Sequence, residues 1–259
     1  MDERRLPLTE HLAELRRRLV RSLLAIALGM AVAWLFKERI FAELLAPAVE
    51  ALQPDGARLQ AIAPTEIFFT YLKGALLGGF VLALPVVLWE AWAFVAPGLY
   101  PNEKRLAVPF VLSATLLFVT GAAFGHQIAF PFMFQFLSEF ESEFVEAAWS
   151  MREVFGLTTR MFLAFGIAFE LPVVVFFLAI AGIVDVPRLL RGFPYAVLAI
   201  FIVAAIITPP DYVSQIMIAV PMCALYLVGV AVAWVFGGKR ARGRRSADDD
   251  ASGSEIARA

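Results

Sequence analysis

The sequence predicts an all-α polytopic membrane protein with six kinked transmembrane helices and both termini in the cytoplasm. Three observations carry that expectation. Of 259 residues, 61% are hydrophobic and only 17% charged, with a mean hydropathy of +0.77; a soluble domain carries roughly 45–50% apolar and 25% charged residues. The apolar residues gather into blocks near the ~20 residues that a helix needs to cross hydrocarbon. The connections between the blocks alternate between basic and acidic.

The expected spans run over 19–36, 68–95, 106–132, 157–183, 193–207 and 213–236. They form a single domain over 1–236, and 237–259 follows as a disordered cytoplasmic tail that is basic, then acidic, then small and polar. The first span opens with "RRRLVRSLLAIALGMAVAW", which has the layout of a cleavable signal. Its apolar run continues to Phe36, however, and removing it leaves five spans with termini on opposite sides, so it is read as retained. The second and third spans carry "GALLGG" (Gly74–Gly79) and "GAAFG" (Gly121–Gly125), both containing G-x-x-x-G, a pattern for close helix packing. The last apolar block is split by "TPPDY" (Thr208–Tyr212), because two prolines and an aspartate break a helix in lipid. That leaves the fifth span short, at ~22 Å against a core of ~30 Å. Every span after the first holds a proline (Pro85, Pro109 and Pro131, Pro172, Pro194, Pro221), each of which frees a carbonyl that needs a partner inside the protein.

Lys and Arg set the orientation. They crowd the N-terminal segment, the second-to-third and fourth-to-fifth connections, and the tail, while the remaining long connections are acidic; basic connections stay cytoplasmic. In "LPLTEHLAELRRRL" the leucines 8, 12, 15 and 19 follow a helical period, and Thr9 is placed to cap. This predicts an amphipathic helix lying on the cytoplasmic surface. Glu14 sits in reach of Arg17 and Arg18, the spacing of ordinary helix-surface pairs. In "WAFVAPGLYPNEKRL" the breakers Pro97, Gly98 and Pro101 hold Glu103 on a short loop at the membrane surface. Together these segments give an acidic site on a basic face, which suits a guanidinium ligand.

Glu170 stands alone in "FLAFGIAFELPVVVFFLAIAG". A charge at that depth costs at least ~2.5–3.5 kcal/mol unless it is paired or wetted. Three readings fit: a protonated, hydrogen-bonded structural group; part of a proton or ion path; or an acceptor facing a cavity or partner helix. Lys73 in the second span is a candidate mate, although it lies nearer the acidic end and can snorkel. The one cysteine, Cys223, permits no intramolecular disulfide, and with only His11 and His126 besides, no metal site or cofactor is expected. The chain has no Walker A motif, no H-E-x-x-H and no G-x-S-x-G, so neither an ATPase nor a hydrolase is expected, nor any other enzyme activity.

The ordered motifs "HLAELRRRL", "PTEIF" (Pro64–Phe68), "WAFVAPGLYPNEKR", "FGIAFELP" and "ITPPDYVSQ" with a following "AVP" closely resemble the TatC family, the multi-spanning receptor of twin-arginine protein export, over about residues 6–236. The resemblance implies a concave six-helix bundle in the bacterial cytoplasmic (inner) membrane. It implies a cytoplasmic face that reads the twin-arginine signal peptide of folded cargo, and export on proton-motive force with single-span TatA- and TatB-like partners. Self-association is expected as well, and a nucleic-acid partner is not. By the same resemblance Glu14, Phe94, Glu103 and Arg105 match the signal-peptide surface. Glu170 matches an intramembrane glutamate where partners or signal peptide dock. Pro47, Phe68, Phe118, Gly121, Asp211 and Gln215 match positions tied to assembly or transport. The alternative is a proton- or cation-coupled small-solute transporter working through Glu170, which predicts a repeat symmetry between the two halves that the sequence lacks.

Overall fold

The computed structural model describes residues 8–52, 59–95, 107–139, 149–180, 184–208 and 211–256. These are almost wholly helical. Five helical runs are long and apolar enough to cross a membrane (Leu12–Leu35, Pro64–Phe94, Val108–Ser138, Met151–Ala179 and Tyr212–Val235), and Phe193–Ile207 is a shorter apolar helix. The chain divides after Gly166 into two compact units.

The first unit holds α1 (Leu8–Leu35), α2 (Lys37–Leu52), α3 (Pro64–Val95), α4 (Ala107–Phe124), a π turn (Gly125–Ala129), α5 (Phe130–Ser138) and most of α6 (Met151–Phe169). Nothing in α1 separates a surface helix from a span. The expected cytoplasmic amphipathic helix is instead the first turns of one unbroken 28-residue helix, because the segment has no proline and no glycine before Gly29 to stop it. Thr9, the expected cap, is already inside that helix.

α1 packs along α3. The two backbones touch at Gly29 and Gly79: a Cβ on Gly29 would stand 2.5 Å from the Gly79 carbonyl oxygen, and one on Gly79 would stand 2.9 Å from the Gly29 carbonyl carbon. Only glycine permits that approach. The second small-residue motif works differently. A Cβ on Gly125 would meet the Phe165 ring at 2.7 Å, so this glycine makes room for an aromatic side chain. Behind it Leu84, Phe118 and Ala122 form a core with Phe80 and Phe162 packed on it.

The start of α3 shows why "PTEIF" folds as it does. Pro64 takes the first helical position, where its missing donor costs nothing. Glu66 reaches back to accept from the Ile62 and Ala63 amides at 2.7 and 3.3 Å, which satisfies donors that the helix start leaves unpaired. A two-bond bridge, Gln60 N to Trp149 O and Met151 N to Gln60 O at 2.9 Å each, ties the approach to α3 to the approach to α6.

The second unit holds the end of α6, then α7 (Leu171–Ile180), α8 (Val186–Arg191), α9 (Phe193–Ile207) and α10 (Tyr212–Ile256). α10 packs on α7, α8 and α9. Its Gly229 lies against Pro172, whose Cα a Cβ at 229 would meet at 2.8 Å. Val175, Leu189, Val230 and Ala233 make the core. Tyr226 donates its hydroxyl to the Leu189 carbonyl at 2.9 Å, so this polar tip is satisfied inside an apolar cluster.

Several expectations change. α2 and α8 lie where connections were expected. In α2 the acidic segment still supplies the apolar residues Phe41, Leu44, Leu45 and Ala48 at helical spacing, and the last three are buried. Of the prolines, Pro85 and Pro221 sit inside helices. Pro109 lies in the first turn of α4 and Pro194 at the start of α9, where no intrahelical bond is lost, whereas Pro131 follows the π turn inside the helical run Val108–Ser138. The helical backbone of α10 runs on to Ile256 through the segment expected to form a disordered tail. Extending an existing helix needs no new nucleus.

Candidate functional site

The arginine-rich start of α1 meets the end of α3. Glu14, Arg18 and Arg21 recur at intervals of four and three, which places them on one face of α1. Across from that face is Glu90, a residue the sequence reading did not single out. Arg18 bridges the two carboxylates. Its Nε and Nη2 donate to the same Glu14 oxygen, Oε1, at 3.0 and 2.5 Å, and its Nη1 donates to Glu90 Oε2 at 3.1 Å. Arg21 Nη1 reaches Glu90 Oε1 at 3.5 Å. The side chain of Glu90 is only 11% exposed, against 27% for Glu14. Glu90 is thus a nearly buried anion fixed on a packed helix, and Glu14 is the accessible one. No other described residue bonds the second Glu14 oxygen, Oε2.

Glu90 had a signal in the sequence. It is a carboxylate inside the second span at the same end as Arg21, a cation inside the first, and charges in adjacent spans seek each other. Phe94 follows Glu90 by one turn, which sets it on the same side of α3, half-buried. Trp92 nearby is buried against Phe110, with ring centroids 4.6 Å apart. Glu103 and Arg105 lie outside the described residues.

The other expected positions are not in this cluster. Phe68 is at the far end of α3, about 33 Å from Glu90 along the helix. It is exposed and lies edge-on to Trp34, at 6.1 Å, whose ring carries the Lys37 ammonium at 5.4 Å. Phe118 is 2% exposed and packs beside Gly166, where a Cβ would stand 2.5 Å from its ring. Gly121 is buried on α4. Pro47 lies within α2, and its missing amide frees the Glu43 carbonyl one turn back. The His126 ring supplies the replacement: its Nε2 lies 2.6 Å from that oxygen. A carbonyl only accepts, so Nε2 carries the proton. The π turn presents that ring, directly before Pro131.

In the second unit, Glu170 stands between α6 and α7. The Glu170 amide bonds the Ile167 carbonyl, and Pro172 has no amide to contribute, so the helix breaks there. Its Oε1 is buried with no hydrogen-bond partner among the described residues. Asp211 caps α10: Oδ1 accepts from the Ser214 amide at 2.7 Å, and the backbone oxygen accepts from Gln215 at 3.3 Å. Its Oδ2 is buried without a partner among the described residues. Gln215 clips α10 to α9 by donating Nε2 to the Phe201 carbonyl at 3.0 Å. These two residues therefore have a defined local task in building the α9–α10 junction.

The arrangement has relatives. The family model described as "Sec-independent protein translocase protein (TatC)" matches residues 10–221. The protein of that name from Desulforapulum autotrophicum is 46% identical over 239 residues, which cover 92% of this chain and 88% of that one. The protein of that name from Azotobacter chroococcum is 41% identical over 87% of this chain and 88% of its own length. A crystal structure of the twin-arginine translocase receptor TatC superposes with a TM-score of 0.77 at 33% identity, covering 87% of this chain and 98% of that one.

Proposed function

The chain belongs to the TatC family of Sec-independent protein translocase proteins, and from that premise we propose that the end of the molecule bearing Glu14, Arg18 and Glu90 reads the twin-arginine signal peptide. Family membership makes the chain a multi-pass membrane component of the twin-arginine translocase. The transporter alternative gives way to it. The single observation that carries the site assignment is Glu14: a part-exposed carboxylate whose Oε2 no described residue bonds, linked through Arg18 to the end of α3 that carries the half-buried Phe94. A signal peptide with two arginines ahead of an apolar stretch asks for that combination, and a guanidinium engages a carboxylate in two directions where an ammonium engages it in one.

In this reading the chain is a non-catalytic subunit of the bacterial cytoplasmic membrane. Both termini face the cytoplasm, and residues 237–259 form a solvated tail. Glu103 and Arg105 join Glu14 and Phe94 on the recognition face. Glu170, with its open acceptor at a helix break, receives a polar side chain from a partner helix. Cargo moves on proton-motive force together with TatA- and TatB-like partners. The test is photo-crosslinking of a twin-arginine signal peptide to the protein in membrane vesicles, against a twin-lysine peptide and against Glu14→Gln and Glu103→Gln. Labelling lost in all three controls supports the reading. Labelling indifferent to them overturns it.

A further inference from the structure

Glu14 is not vacant in the resting structure. One of its oxygens already accepts two N–H groups from the chain's own guanidinium, Arg18. A ligand guanidinium that engages both oxygens of Glu14 has to take Oε1 from Arg18, whereas an ammonium needs Oε2 alone. Arg18 holds a second anchor through Nη1 on Glu90 Oε2. Glu90 stays where it is: it is nearly buried on α3, whose backbone touches α1 at Gly79, eleven residues before Glu90, and at Gly29, eleven residues after Arg18. Taken together, Glu14 and Glu90 carry two negative charges, and Arg18 and Arg21 two positive ones.

We propose that Arg18 is an internal competitor for the signal-peptide site and that Glu90 is the positioning residue that receives it when a ligand guanidinium takes Glu14. This rests on the reading that Glu14 binds the signal peptide. Ligand and Arg18 exchange places on one carboxylate, and Glu90 makes the exchange nearly neutral because Arg18 keeps an anionic partner throughout. Without Glu90, Arg18 would have to leave its remaining carboxylate for open solvent beside a new cation. Selectivity follows from the same exchange. A lysine pair can add to Oε2 without evicting Arg18, but it then places an ammonium next to an undisplaced guanidinium and bonds a single oxygen.

The experiment measures binding of a fluorescent twin-arginine peptide and its twin-lysine counterpart to the full chain in lipid nanodiscs at fixed ionic strength, for wild type, Glu90→Gln, Arg18→Gln, the double variant and Glu14→Gln. Glu90→Gln is expected to weaken twin-arginine binding about tenfold, the scale of coupling within one charge network, and to weaken twin-lysine binding less, so that discrimination falls. Arg18→Gln removes the competitor and is expected to strengthen twin-arginine binding several-fold, and in its presence Glu90→Gln should have little further effect. Equal weakening of both peptides by Glu90→Gln, or the same loss with and without Arg18, overturns the proposal. If Glu90→Gln does not yield folded protein, Arg18→Gln alone decides by its sign: tighter twin-arginine binding supports the exchange, and weaker binding overturns it. Glu14→Gln separates the two levels. If it leaves binding intact, the site assignment itself fails; if it abolishes binding while Glu90→Gln does nothing, only the exchange fails.

Discussion

The charged end of the α1–α3 pair and the helix breaks of the second unit treat carboxylates in opposite ways. At the first, Glu14 and Glu90 share Arg18, and Arg21 completes the match. At the second, Glu170 and Asp211 each bury an oxygen that nothing described satisfies, and both stand where a helix stops. A paired carboxylate fixes structure, and exchanging its partner is the way it can signal. A buried acceptor without a partner adds no such fixing, and leaving it unmatched costs free energy. The difference teaches that the first region is locked by its own charges, whereas the second carries acceptors that no described residue matches.

The strongest way to break that comparison is Gly79→Leu. A side chain there is driven into the α1 backbone, and we expect a loss of about 3 kcal/mol, the upper part of the overpacking range, read as a lowered Tm in detergent. A wild-type melt would show that the lock lies elsewhere. Next is His126→Ala, which leaves the carbonyl opened by Pro47 without its donor at a cost of about 2 kcal/mol. His126→Gln, which keeps an N–H donor, should recover part of that on the same melting curve. Asp211→Ala removes a cap, worth about 1 kcal/mol, whereas Asp211→Asn keeps the acceptor and should cost only a few tenths of that. If Asp211→Asn melts normally yet abolishes export in vesicles, the unmatched Oδ2 is the part that matters. The smallest stability effect is expected for Glu170→Gln, within about 0.5 kcal/mol, because no partner is broken within its own unit. A drop in crosslinking to partner subunits without a drop in Tm would sharpen the contrast, and a large Tm loss would place Glu170 among the locked groups.

Local features were legible in the sequence, and distant pairings were not. Composition and charge alternation gave six spans, and the fifth begins and ends where "TPPDY" and Pro194 put it. The Glu14–Arg18 contact is one helical turn and could be read directly. Glu90 could not be matched to Arg18, 72 residues away, from periodicity alone. Nor could the His126 ring be matched to the Glu43 carbonyl across 83 residues, because in the sequence Pro47 reads as part of a connection and not as a proline inside a helix. α2 was missed because its glutamates mark a connection when counted as charge, while its buried face is visible only as a helical stripe. The surface helix expected before α1 failed for a simpler reason: amphipathic spacing says which face is apolar but not where a helix ends.

The glycine contact has a mechanical consequence. Most of α1 presents its leucines outward, among them Leu12, Leu19, Leu23 and Leu28. It is fixed to α3 by a backbone fulcrum at Gly29 and by an electrostatic latch at Arg18, about 16 Å apart on a rigid rod. A bar held at a pivot and at one end is a lever. The latch is the Arg18–Glu90 bond, so a change of partner on Glu14 does not free the bar to tilt. A ligand that exchanges with Arg18 on Glu14 therefore leaves α1 clamped at both points, and the arm that carries Trp34 keeps its register against α3.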